Sequence, residues 1–206
     1  MGYRQRRVKG KVSPSEAIEM IKSGHRIALS PVCAEPKTLI KALVEARDRL
    51  ENDTIYTMMP IGECPYASPE MDGHFKVKTF SVGPRLMAAV NEGRAEYIPC
   101  HLSLIPQLIE EQFIPIDVAL IQLSPPDRHG YCSLGVNVSY MRSVLNRAKL
   151  VIAEINEQMP WTLGDTFVHL SELDYIVESS CSLPTVPHSR RGEIERRIGE
   201  FVSELI

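Results

Sequence analysis

The chain has 206 residues, 44% of them apolar and 24% charged, with 23 Lys and Arg against 26 Asp and Glu for a net charge of −3. That apolar content fits a folded globular unit and excludes wholesale disorder, and the near-neutral balance argues against a nucleic-acid or membrane-surface protein. No apolar run approaches the roughly 20 residues that span a bilayer, and the basic N-terminus lacks the apolar stretch of a signal peptide.

In chain order, the basic cluster Arg4, Arg6, Arg7, Lys9 and Lys11 reads as a solvated arm. Ser13, Pro14 and Glu16 then form a helix start: a capping serine, a proline at the first helical position and a glutamate three residues after the cap. Ala17, Ile18, Met20 and Ile21 supply its apolar face, and Gly24 is expected to end it. A short strand over 26–30 leads into a helix over 36–50, where Leu39, Ile40, Leu43, Val44 and Leu50 recur at helical spacing. A strand over 54–58 is broken by Pro60, Ile61 and Gly62, with Met58 and Met59 expected in the core. An extended segment over 75–82 and helices over 84–92 and 102–112 follow.

Residues 117–123 are almost wholly apolar, as in a strand buried on both faces of a parallel sheet. A helix over 137–148 and strands over 150–155 and 174–177 complete the alternation. Strands alternating with helices predict an α/β fold with an open, mainly parallel sheet and helices on both faces. Ligands bind such sheets beyond the carboxyl ends of the strands. Residues 1–182 read as that domain. Residues 183–206 read as a linker, 183–187, and a helix, 190–206, with Ile194, Ile198, Phe201, Val202, Leu205 and Ile206 on one side. So long an apolar stripe suggests an architecture that continues, or docking on another subunit.

The five cysteines, Cys33, Cys64, Cys100, Cys132 and Cys181, are scattered and odd in number. They make neither a disulfide framework nor a metal site, and they suit a reducing cytoplasm. The most informative stretch is residues 124–137, which leaves a buried strand with Ser124, Pro125 and Pro126 and carries Gly130, Ser133, Gly135 and Asn137. The prolines stiffen it, and the glycines permit positive φ or the close approach of a ligand. It reads either as an ordinary β–α connection or as a functional loop, and its length favours the second. It is neither a P-loop nor a dinucleotide fingerprint. His129 has the chemistry of a general base but no evident acid partner, so a hydrogen-bonding surface role is expected. Glu35, Glu63, Glu154 and Glu157 all lie near strand ends, where helix-capping or hydrogen-bonding roles are expected ahead of nucleophilic ones. Trp161 is expected to pack in the core.

The run Ser124, Pro125, Pro126, Asp127, Gly130, Tyr131, Ser133, Leu134, Gly135 and Val136, followed by Ala153, Glu154, Asn156 and Pro160, resembles the acetyl-CoA hydrolase/transferase family, which includes 4-hydroxybutyrate, acetate, succinate and butyrate CoA-transferases. The likeness extends to residues 27–36, with Ala34, Glu35 and Pro36 as the family's first β–α loop, and to the closing segment 192–206. Family members are about twice as long, with two similar α/β halves and the active site between them. The resemblance therefore implies the N-terminal half of an acyl-CoA:carboxylate CoA-transferase, with the catalytic glutamate on the other half and no catalytic residue in this chain. It implies no cofactor beyond coenzyme A as substrate. The implied partners are acyl-CoA, small carboxylic acids and the C-terminal half, in the same chain or a second one, within a cytoplasmic homo-oligomer. The substrate-cleft residues are expected at the strand-end loops: Ser30, Pro31, Gly62, Gly130, Ser133, Gly135 and Asn137. A hydrolase of the same family, and a non-catalytic binding module that kept the half-fold, are the rival readings.

Overall fold

The computed structural model describes residues 8–186 and 191–206. Arg4, Arg6 and Arg7 of the basic arm, Pro187 of the linker and Arg190 at the start of the last helix lie outside the described residues.

Eight parallel strands form the main sheet. They are β1 (Gly10–Lys11), β2 (Arg26–Leu29), β3 (Asp53–Thr57), β4 (Phe75–Thr79), β5 (Ala95–Tyr97), β6 (Val118–Leu123), β8 (Leu150–Asn156) and β10 (Tyr175–Ser179). Their spatial order is β1-β10-β8-β6-β2-β3-β4-β5, so β6, apolar but for Gln122, sits in the middle, paired with β2 and β8. A separate antiparallel ribbon joins β7 (Tyr131–Ser133) to β9 (Phe167–His169).

The strand period of two sorts side chains onto two cores. Ile27, Leu29, Ile55, Val118, Leu120 and Ile152 face a layer built by α1 (Pro14–Glu19), α2 (Lys37–Glu45) and α3 (Met87–Asn91). Ala28, Tyr56, Ala119, Ile121, Val151 and Ala153 face α4 (Ile105–Glu110) and α5 (Met141–Arg147). Both faces of the sheet are covered, which is why β6 and β8 carry so few polar residues. The capping box at Ser13 forms as expected: its Oγ accepts from the Glu16 N–H, and Glu16 accepts from the Ser13 N–H at 2.7 Å. At the amino ends of the strands, Arg26 donates twice to Asp117, at 2.7 and 3.0 Å, and Lys149 lies 2.8 Å from the same carboxylate. Burial opposes ionisation of Asp117, but these cations outweigh it and hold its carboxyl well below the usual range.

Several expectations are corrected. The helix after Ser13 closes at Glu19, and Gly24 lies in the turn beyond it at φ +80. The helix placed at 137–148 begins only at Met141, because residues 131–134 first run as a strand and its exit loop. β1, β5, β7 and β9 are too short to show a pattern in the sequence. Met58 is buried, but Met59 is exposed at φ +44. Trp161 is 40% exposed and leans on Phe167 with ring centroids 5.4 Å apart, so it covers the ribbon and does not enter the core. The last helix, α6 (Glu193–Ser203), leaves Ile194, Ile198, Phe201 and Val202 exposed. No helix among the described residues is long and apolar enough to cross a membrane.

Candidate functional site

On the α1–α2 face, the apolar alternation turns polar as the strands reach their carboxyl ends. Thr57 of β3, Gln122 of β6 and Glu154 and Asn156 of β8 replace the aliphatic residues of earlier turns, and all four are buried. Buried polar groups need partners, and these find them in one network. Glu154 accepts from the N–H groups of Thr38 and Leu39 at 2.9 and 3.1 Å, from Thr38 Oγ1 at 2.9 Å and from Ser179 Oγ at 2.8 Å. It therefore caps α2 from inside the protein and occupies the helix N-terminus with a carboxylate. Gln122 Nε2 donates to the carbonyls of Glu35 and Ala34, and Asn156 Nδ2 donates to Gln122 Oε1 at 2.6 Å and to the Cys181 carbonyl at 2.7 Å. The network fixes the β2–α2 loop and the segment after β10 against the ends of the central strands.

That loop is strained as well as fixed. Val32 holds φ +61, an unusual state for a β-branched residue, and Met59 of the β3 exit loop holds φ +44. The Val32 N–H donates to the Met58 carbonyl and the Ile61 N–H donates to the Val32 carbonyl, which laces the β2 and β3 exit loops together. Strain of this kind costs about 1–3 kcal/mol per residue and clusters at functional sites.

Glu35 sits at the inner edge of the same loop, 4% exposed. Its Oε1 accepts from the Tyr66 hydroxyl at 2.6 Å and from Thr57 Oγ1 at 3.2 Å, while its Oε2 is buried with no hydrogen-bond partner. Burial pushes its carboxyl up to about 7, and the two hydrogen bonds only partly offset this. Glu35 is one of the residues lining a cavity of ≈ 710 Å³ whose walls come from segments that follow strand ends: Lys37 and Ile40 of α2, Ile61 to Glu63 after β3, Arg85 after β4, and Pro184 after β10.

The loop 124–137 is organised differently. Asp127 Oδ1 accepts from the N–H groups of His129 and Tyr131 at 2.8 and 2.9 Å, and these bonds hold its carboxyl below the usual range. Ser133 Oγ bonds with Thr162 Oγ1 at 3.1 Å and Thr166 Oγ1 at 3.3 Å, and accepts from the Gly135 N–H at 3.1 Å. Gly135 holds φ +62, and a Cβ there would lie 2.2 Å from Met159 Sδ and 3.0 Å from the Pro160 carbonyl oxygen. Gly130 holds φ +85, with His169 Nε2 3.0 Å from where a Cβ would be. The close approach expected of a ligand at Gly135 is thus made by Met159, and the motif's glycines and Ser133 fasten β7 to β9 and to residues 159–166.

The predicted site residues therefore divide. Gly62 lies in the cavity wall. Ser30 and Pro31 are buried and do not line it, with Ser30 Oγ accepting from the Gln122 N–H at 3.2 Å. Gly130, Ser133 and Gly135 serve the ribbon, and Asn137 follows it with a buried Oδ1 that has no partner. His129 is exposed and accepts from Arg128 Nε at 3.0 Å, a surface role as expected. Glu154 has the expected capping role. Thr57, Tyr66 and Arg85 escape the sequence reading, because nothing local marks residues that meet only when separate strand ends converge. Among the described residues no three His, Cys, Asp or Glu side chains gather as a metal site, and all five cysteines are free.

Residues 1–187 match the acetyl-CoA hydrolase/transferase N-terminal domain. The chain is 41% identical over 195 residues to the 4-hydroxybutyrate coenzyme A transferase of Clostridium kluyveri, a stretch that covers 95% of this chain and 46% of that protein. The fold is similar to the crystal structure of RipA from Yersinia pestis, with a TM-score of 0.85 and 27% identity over 94% of this chain and 48% of that one. It is also similar to a 4-hydroxybutyrate CoA-transferase from Porphyromonas gingivalis, with a TM-score of 0.74 and 30% identity over 95% of this chain and 45% of that one. The chain spans about half the length of the curated relatives it matches. Domain match, sequence identity and overall fold converge: the chain belongs to the acetyl-CoA hydrolase/transferase family, within that family's N-terminal domain.

Proposed function

We propose that this chain forms the N-terminal half of a CoA-transferase that moves coenzyme A between small carboxylic acids. The carrying observation is the 41% identity, across 95% of the chain and 46% of the relative, to a 4-hydroxybutyrate coenzyme A transferase, together with the match to the family's N-terminal domain. In this reading a glutamate of the C-terminal half attacks the acyl-CoA thioester and forms an acyl–glutamyl anhydride. The released thiolate attacks the glutamyl carbonyl of that anhydride, expelling the first acid and leaving a glutamyl–CoA thioester. A second acid then runs the two steps in reverse. The covalent intermediate splits one difficult exchange into easier steps. Coenzyme A enters as substrate, and no further cofactor is required.

The chain's own part is to build one wall of the acyl site from the loops after β2, β3 and β4. The cavity supports this, because it joins aliphatic surface from Ile40, Ile61 and Pro184 with the cations of Lys37 and Arg85. An amphiphile such as a short fatty acid needs both. The exposed apolar face of α6 supports assembly with the C-terminal half or another subunit, and the scattered cysteines support a cytoplasmic setting.

The test joins this chain to a C-terminal half and measures exchange between acetyl-CoA and butyrate, 4-hydroxybutyrate or succinate. Acid-dependent exchange by the pair, with none by this chain alone, is expected. Thioester hydrolysis that ignores added acid would replace the transferase reading by a hydrolase. Exchange by residues 1–206 alone, abolished by changing one of their own glutamates, would overturn the half-enzyme assignment.

A further inference from the structure

Glu35 holds a combination that a purely structural carboxyl does not need. Both of its protein hydrogen bonds fall on one oxygen: the Tyr66 hydroxyl and Thr57 Oγ1 each donate to Oε1. With Oε1 accepting from two hydroxyls, a proton on this carboxyl belongs on Oε2. That atom is buried and faces no protein partner, and its residue lines the ≈ 710 Å³ cavity. A buried donor without an acceptor is costly, which gives such an atom a strong preference for an acceptor brought by a ligand. The wall around it combines Ile40, Ile61 and Pro184 with Lys37 and Arg85.

Resting on the transferase reading, we propose that Glu35 is a positioning residue for the acid substrate, its Oε2–H donating a hydrogen bond to the carboxylate of a short aliphatic acid in this cavity. The neutral carboxyl adds no repulsion to the incoming anion and orients it by a charge-assisted bond. Lys37 and Arg85 balance the anion's charge from the wall. The carboxyl titrates near neutrality because burial raises it to about 7. Below that point the donor is present, and above it a second negative charge meets the substrate. The titratable groups around Glu35 are Tyr66, Cys64 and Tyr140, each held neutral by burial, with Lys37, Lys41, Glu45, Glu63 and Arg85 on the cavity wall. Short acids, like free carboxyl side chains, stay ionised from pH 6 to 8.5, so their own titration does not enter.

The experiment measures KM for butyrate against pH in the assembled enzyme, for wild type, Glu35→Gln and Glu35→Ala. Loss of one charge-assisted hydrogen bond corresponds to about a tenfold change or more. Wild-type KM is expected to rise about tenfold or more between pH 6 and 8.5. Glu35→Gln, whose amide oxygen still accepts from Tyr66 and Thr57 and whose amide nitrogen still donates, should flatten that rise, and Glu35→Ala should hold KM high at every pH. Parallel profiles for wild type and Glu35→Gln would overturn the proposal and leave Oε2 bonded to water only. If the assembled enzyme exchanges no acid at all, the transferase reading fails separately. Calorimetric titration of butyrate into the chain then decides the carboxyl's role: binding at pH 6 that Glu35→Ala removes and Glu35→Gln retains sustains it, and any other result overturns it.

Discussion

Two polar regions sit at the carboxyl end of the sheet, and they are built on opposite principles. The loop 124–137 is largely spent on the protein itself: Asp127 accepts from N–H groups of its own loop, Ser133 and the two turn glycines are taken up by bonds and packing to β9 and residues 159–166, and of these groups only Asn137 Oδ1 stays buried without a partner. The loop after β2 is held in place by Gln122 and Glu154 and laced to the loop after β3 through Val32, yet Glu35 Oε2 stays unpaired beside a cavity. A dense motif and an open chemical site are therefore different things. Glycine and serine in a loop mark a demanding backbone, and only the pattern of satisfied and unsatisfied atoms tells whether that backbone serves a ligand or the protein itself.

The sharpest way to break this contrast is Gly135→Val. A β-branched residue at φ +62, with its Cβ 2.2 Å from Met159 Sδ, combines left-handed strain with overpacking. A loss of about 4–5 kcal/mol is expected, read as a collapse of the urea midpoint. Gly135→Ala should be partly rescued by Met159→Ala. A Gly135→Val protein that folds normally and loses only activity would return the loop to the ligand.

Glu154→Ala comes next. It strips α2 of its internal cap and leaves the N–H groups of Thr38 and Leu39 unpaired, so stability should fall by about 3 kcal/mol with most of the loss in the β2–α2 region. Hydrogen exchange localises the effect, and protection unchanged in α2 would show that the network does not hold the loop.

The open region should show itself through pH. Glu35 is raised from 4.5 to about 7 in the fold, so its ionisation opposes folding: the cost is absent below about pH 4.5, grows as pH rises, and is complete above about 7. At pH 8 it amounts to about 3 kcal/mol. Asp53, buried and raised from 3.8 to about 6, acts in the same direction at lower pH. Denaturant titrations should show stability falling from pH 5 to pH 8 in wild type and falling less in Glu35→Gln. Equal slopes for the two proteins would mean that Glu35 is not the buried acid described above.

The smallest expected effect is Gly130→Ala, which places a Cβ 3.0 Å from His169 Nε2 at φ +85. A loss of about 1 kcal/mol is expected, relieved in part by His169→Ala. No loss at all would show that the ribbon yields easily at its tip.

The amino-acid sequence alone carries the α/β class and most of the strand–helix alternation, because burial on both faces writes nearly continuous apolar runs such as 117–123 and capping writes local signatures such as Ser13 with Glu16. It also marked Glu35, Glu154 and Gly62 as strand-end residues and carried the family motif. Which of these are spent and which are open follows only from the three-dimensional contacts. Met159 reaches Gly135 across 24 residues, Gln122 reaches the Glu35 carbonyl across 87, and Tyr66 finds the Glu35 carboxyl from a separate turn. Such pairings leave no periodic trace, since each depends on where strand order brings distant loops. The very short β1, β5, β7 and β9 stayed hidden for the same reason: two or three residues cannot display a period, and only the neighbouring strand fixes their conformation.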